Sequence, residues 1–176
     1  VGASPMLSLK NILKEIRETL AKKEKMRENA QRDMRKATSL SKQAILLIHQ
    51  KRSKEAKILI EKATKIISRL NEASAESPDV IYGGLFNAAL QEYSEANIFL
   101  KLIEESRFVT PQEINVPPID YVLGLADVIG EYRRMALDAL REGDVEKSEK
   151  CLQIMDDIYT ELMAMDEAYM LVPGLR

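Results

Sequence analysis

Two pairs of acidic residues at helical spacing mark where this chain could do chemistry. In Leu90-Gln91-Glu92-Tyr93-Ser94-Glu95-Ala96 the glutamates are three apart, and in Leu125-Ala126-Asp127-Val128-Ile129-Gly130-Glu131 the Asp and Glu are four apart. Residues three or four apart share a helix face, so each pair presents two carboxylates together. Glu92 also falls on an apolar stripe with Leu85, Ala89, Ala96, Phe99 and Ile103. A carboxylate buried there must be paired, hydrogen-bonded or bound to a cation. Two neighbouring helices of this kind would offer the oxygen-only ligands that Mg²⁺ or Mn²⁺ prefers, and such an ion can activate water and neutralise phosphate charge. Either pair also reads as an ordinary solvated helix face. For Asp127 and Glu131 that plainer reading is favoured, because Gly124, Arg134 and Asp138 extend a polar stripe through them.

Other chemistries lack their residues. With one histidine, His49, and one cysteine, Cys151, a zinc site is implausible. Di-iron bundles need Glu-x-x-His, and no Glu stands at position 46. Nucleophilic triads and glycine-rich phosphate loops are missing. His49, at the end of a helical run beside Lys51 and Arg52, reads as a surface or packing residue.

The elements that must position the acids are all helical. Ala, Leu, Ile, Met, Glu, Lys and Arg dominate, whereas Gly (7) and Pro (6) are scarce. Apolar residues recur at helical period from Leu7 to about His49, without a breaker. Ser53 is expected to cap a second helix through Leu70, followed by a loop over Ser74 to Pro78. A third helix is expected from Pro78 to about Ser106, and Thr110-Pro111-Gln112-Glu113 reads as the cap of a single turn. Pro118 opens a fourth helix ending near Gly143, and Asp144 caps a fifth that runs to about Met165. The expected fold is all-α: one domain over 1–176, a bundle of long antiparallel helices, with residues 1–5 as a tail. The length of the first helix suggests an oligomer.

The net charge of −2 would not by itself suggest nucleic acid, but its distribution does. Residues 1–75 hold 18 Lys/Arg against 8 Asp/Glu, and residues 76–176 hold 8 against 20. One region suits phosphates, the other a metal ion or a basic partner. A single cysteine leaves no intrachain disulfide, and no apolar run approaches membrane-spanning length, so a cytoplasmic protein that does not engage membranes is expected.

Several segments resemble the translin/Trax family. Leu90–Ala96 is similar to the LQEYVEA segment of Trax, the translin-associated factor. Asp120–Glu131, followed by Arg134-Met135 and Gly143-Asp144, resembles its DYLLGVADLTGE segment, and Ser41–His49 matches a further stretch. The likeness runs from about Lys36 to Tyr159 and points to a homologue of prokaryotic or archaeal type. It implies a helical bundle assembling into a roughly octameric shell with RNA on its inner surface. It further implies an endoribonuclease acting on single-stranded RNA or short duplexes. Glu92, Glu95 and Asp127 would be catalytic, and with Glu131 would hold Mg²⁺ or Mn²⁺. The translin branch lacks the glutamate pair and binds single-stranded RNA or DNA without catalysis, which is the alternative. Where translin carries a basic nucleic-acid patch, this chain reads Tyr82-Gly83-Gly84-Leu85-Phe86-Asn87. RNA contacts are therefore expected from Lys42, His49, Lys51, Arg52 and Arg134. The insertion of animal Trax is shortened here, and the family's final helix has no counterpart before Arg176.

Overall fold

In the computed structural model, which describes residues 4–169 and side chains through Met165, every regular element is a helix. The order is α1 (Pro5–His49), α2 (Ser53–Glu76), α3 (Pro78–Ile81), α4 (Gly84–Glu105), α5 (Pro111–Ile114), α6 (Pro118–Arg141) and α7 (Val145–Tyr169). Among the described residues none of these is long and apolar enough to cross a membrane.

Of the tail expected over residues 1–5, Ser4 and Pro5 belong to the start of α1. The Ser4 side chain accepts from the Leu7 N–H at 3.2 Å, and Pro5 occupies the first helical position, where its missing N–H costs nothing. Residues 1–3 and the expected loss of a last family helix lie outside the described residues. The first helix then runs 45 residues, because no glycine or proline interrupts it. Its second half buries Ala30, Met34, Ala37, Leu40, Ala44, Ile45 and Ile48, whereas its first half stands exposed.

Two boundaries differ from the sequence reading. Ser53 is the first helical residue of α2 instead of its cap; Arg52 holds the cap position, and its side chain caps no backbone N–H of the helix. The second helix also continues through the expected loop to Glu76, with Ser74 buried and its hydroxyl donating to the Asn71 carbonyl at 2.7 Å. The single helix expected from Pro78 is broken in two at Tyr82-Gly83. Gly83 has φ 155° and ψ −178°, a region open essentially to glycine alone. The last helix runs to Tyr169, four residues past the expected end, and the caps at Thr110 and Asp144 fall as expected. Thr110 and Glu113 form a reciprocal capping box around α5, each bond 3.1 Å long, and Asp144 caps α7 by accepting from the Lys147 N–H at 3.0 Å.

Short turns make α1/α2 and α6/α7 antiparallel hairpins, and α4 lies between them, packing on α1 and on α6. The contacts of Gln91 with Asp127 and Phe99 with Tyr132 set α4 and α6 in the same sense, which the crossover through α5 allows. Phe86, Phe99, Met34, Leu70, Ile81 and Leu90 are the largest fully buried side chains among the described residues.

The α4–α6 crossing depends on one residue. A Cβ at Gly124 would stand 2.8 Å from the Gln91 carbonyl oxygen, 2.8 Å from Ser94 Cβ and 2.9 Å from the Glu95 nitrogen. Two of those atoms are backbone and cannot turn aside, so only glycine permits this approach. Gly124→Ala should therefore lower stability by about 1–3 kcal/mol through forced separation of the helices. Urea unfolding checks this, and an unchanged midpoint would contradict the crossing.

Candidate carboxylate site

The close approach at Gly124 places the acidic faces of α4 and α6 against each other. Glu92, Glu95, Asp127 and Glu131 line one open cavity of about 460 Å³, together with Lys42, Ile45 and Leu46 of α1 and Arg134 of α6. Gln91 Nε2 donates to Asp127 Oδ2 at 2.7 Å and ties the two helices at its edge. The two carboxylate pairs expected from spacing thus converge. Gly124, read in sequence as part of a polar stripe, is buried and is what brings them together.

Burial is distributed differently from the apolar stripe that singled out Glu92. Glu95 is the buried member, 5% exposed, while Glu92 is half-buried at the cavity wall. Desolvation pushes the Glu95 carboxyl up to about 10. Its hydrogen bond to Glu131 and the charges of Glu92, Glu131 and Asp127 act in the same direction. Burial also raises Glu92, partly offset by the nearby Lys42 charge and by its hydrogen bond with Glu95, with Asp127 and Glu131 adding to the rise. Glu131 goes the other way. Burial would raise it, but hydrogen bonds from His49 and Glu95 and the charges of His49 and Arg134 together hold it below the usual range.

His49 is the partner that sequence reasoning placed elsewhere. Its ring is 3% exposed, so it is not available to touch a phosphate on the surface as expected. Its Nε2 lies 2.7 Å from Glu131 Oε1, its ring centroid is 5.2 Å from that of Phe99, and its Nδ1 is buried without a partner. Position 49 is four residues after the buried Ile45, so helical periodicity already carried the signal. Of the other expected RNA contacts, Lys42 and Arg134 stand at the carboxylate cavity. Lys51 lines a separate cavity with Arg141 and Lys147, and Arg52 pairs with Glu55 at the α1–α2 turn. These two do not join the carboxylates.

Among the described residues, no group of three or more His, Cys, Asp or Glu side chains already stands at metal-ligand spacing. The donor chemistry nevertheless suits a hard dication. Four carboxylates line the cavity and offer only oxygen, and the crowding of their charges, which with burial pushes the Glu95 carboxyl up, is of the kind a dication relieves. Glu92, Glu95, Asp127 and Glu131 are the side chains that would hold such an ion.

The Translin family profile matches residues 25–171. The chain belongs to the Translin family. An uncharacterised protein of Methanocaldococcus jannaschii is 31% identical over 159 residues, which cover 89% of this chain and 70% of that one. Translin-associated protein X of Mus musculus is 25% identical over 166 residues, covering 71% of this chain. The match spans 57% of the mouse protein's length. Among solved structures, AfC3PO in complex with duplex RNA is similar at TM-score 0.79 and 35% identity, over 93% of this chain and 85% of that chain. Apo-NeC3PO, at TM-score 0.80 and 23% identity over 94% of this chain and 85% of that one, shares the fold. This member of the Translin family therefore carries the acidic residues of Leu90–Ala96 and Asp120–Glu131 on two helices that meet.

The raised Glu95 carboxyl has a stability consequence. The folded chain keeps a proton that the unfolded chain releases above about pH 4.5, so folding stability falls as pH rises from there toward about 10. Glu95→Gln should remove that loss. In metal-free buffer it is expected to be stabilising, by a margin that grows between pH 5 and 8 by up to about 1.4 kcal/mol per unit. Urea unfolding at the two pH values reads the difference, and equal pH slopes for both proteins would refute it.

Proposed function

We propose that this chain is a metal-dependent endoribonuclease subunit of the Trax type, working in a homo-oligomeric shell, an octamer, on single-stranded RNA or short duplexes. The observation that carries this reading is the convergence of Glu92, Glu95, Asp127 and Glu131 on one cavity flanked by Lys42 and Arg134. Similarity to an RNA-bound structure, AfC3PO, supports the substrate class.

Each side chain then has a task. Glu92, Glu95 and Asp127, with Glu131, hold Mg²⁺ or Mn²⁺, which when bound supplies charge neutralisation at the phosphate and lowers the pKa of water. Lys42 and Arg134 bind the non-bridging phosphate oxygens and fix the backbone beside the carboxylates; Arg can do so through two parallel N–H groups. Glu92 is half-buried, open to the cavity and raised in pKa, and is the group best placed to take the proton of the attacking water. His49 donates from Nε2 to Glu131 and fixes that carboxylate's orientation without touching substrate. The ribonuclease would be cytoplasmic.

An end-labelled single-stranded RNA incubated with Mg²⁺ or Mn²⁺, and in parallel with EDTA, tests the reading. Fragments should appear only with metal. Glu92→Ala or Asp127→Ala should abolish them, a loss of at least about 100-fold, while RNA binding persists. Lys42→Ala with Arg134→Ala should instead weaken binding and flatten its salt dependence. Cleavage that survives Glu92→Ala would remove the site assignment. RNA or single-stranded DNA bound by the wild type without any cleavage would establish the non-catalytic, translin-like alternative.

A further inference from the structure

The four cavity acids are not held alike. Gln91 Nε2 of α4 donates to Asp127 Oδ2 at 2.7 Å, and His49 Nε2 of α1 donates to Glu131 Oε1 at 2.7 Å. Both acceptors stand on α6, and each donor reaches them from another helix. On α4 itself, Glu92 and Glu95 receive no such nitrogen among the described residues; their hydrogen bonds run to each other and to Glu131.

Neither donor is free to turn away. The His49 ring is 3% exposed and packs on Phe99, with centroids 5.2 Å apart. Its Nδ1 has no partner, so packing fixes the ring's direction and Glu131 takes its one hydrogen bond. Gln91 is fixed by the crossing at Gly124, where its carbonyl oxygen would stand 2.8 Å from an added Cβ. One oxygen of each α6 carboxylate is therefore committed. Asp127 Oδ1 and Glu131 Oε2 are the oxygens that no nitrogen holds.

This commitment discriminates between cations. Ca²⁺ gathers roughly six to eight oxygens in a flexible shell and takes carboxylates through one oxygen or both. Mg²⁺ is smaller, demands a near-octahedral shell and keeps several waters. A carboxylate with one oxygen already hydrogen-bonded offers a cation only the other, unless that bond breaks. We infer that Gln91 and His49 are positioning residues that make the cavity selective for a small octahedral dication over Ca²⁺, by restricting Asp127 and Glu131 to one oxygen each. The inference rests on the reading of this cavity as a dication site, and it holds whether or not RNA is cleaved there.

The test uses the metal-free full chain without RNA. Mn²⁺ is added, its binding is read from the loss of the electron paramagnetic resonance signal of the free ion, and Mg²⁺ or Ca²⁺ then displaces it. With the wild type, Mg²⁺ should displace Mn²⁺ at a lower concentration than Ca²⁺ does. Gln91→Leu and, separately, His49→Phe remove the donors at similar volume, and each should weaken Mn²⁺ binding by about tenfold or more. Each should also narrow or reverse the advantage of Mg²⁺ over Ca²⁺, which a loss of packing alone does not do. Gln91 is partly exposed, so Gln91→Leu keeps the test open if His49→Phe fails to fold. A wild type displaced equally by both ions, or an unchanged Mg²⁺ advantage in Gln91→Leu, would overturn the inference and leave the dication site standing. A wild type that binds no Mn²⁺ would overturn both.

Discussion

The site rests on the crossing of α4 and α6 at Gly124. A helix pair normally stands off by the width of its side chains, and carboxylates on facing surfaces then remain in water, each with its own hydration. Removing one side chain at the crossing point closes that gap. The Gln91 and Glu95 backbone comes within van der Waals distance of Gly124, and the acidic residues one and two turns beyond it are carried to a common cavity. Like charges brought together in this way repel, so the packing energy of the flanking apolar residues must hold them. Phe99, fully buried between His49 and Tyr132, is part of that hold.

The surroundings then divide four similar acids into different roles. His49 and Arg134 favour a charged Glu131, Lys42 moderates Glu92, and the deep position of Glu95 leaves it the proton. A cluster of this kind can exchange its retained proton for a dication, which relieves the same repulsion with more charge. The basic residues Lys42 and Arg134 line the same cavity as the four carboxylates, where a phosphate brought to the acids could also meet them.

The helical fold was legible because period, caps and breakers agreed along most of the chain. The Thr110–Glu113 capping box and the Asp144 cap are set by local hydrogen bonds and stand where their residue types put them. The errors arose where tertiary packing decides. One helix was expected from Pro78 through Gly83-Gly84, yet the chain uses the freedom of Gly83 to turn α3 into α4. The convergence of the acidic pairs needed contacts between residues some thirty-five positions apart, which periodicity cannot supply, although family resemblance pointed to the same residues. Periodicity also misplaced the burial, giving it to Glu92, because a stripe on one helix does not reveal which flank its neighbour will cover. His49 and Glu131 are 82 residues apart, and no local pattern joins them.

The most direct test of this account is the ionisation of the Glu95 carboxyl itself, followed by ¹³C NMR of the side chain with and without Mg²⁺. The account predicts a titration far above the ordinary carboxylate range in metal-free protein, moving sharply downward when Mg²⁺ is added. A Glu95 carboxyl that titrates near 4.5 and does not respond to Mg²⁺ would mean that the four acids neither crowd one another nor share an ion.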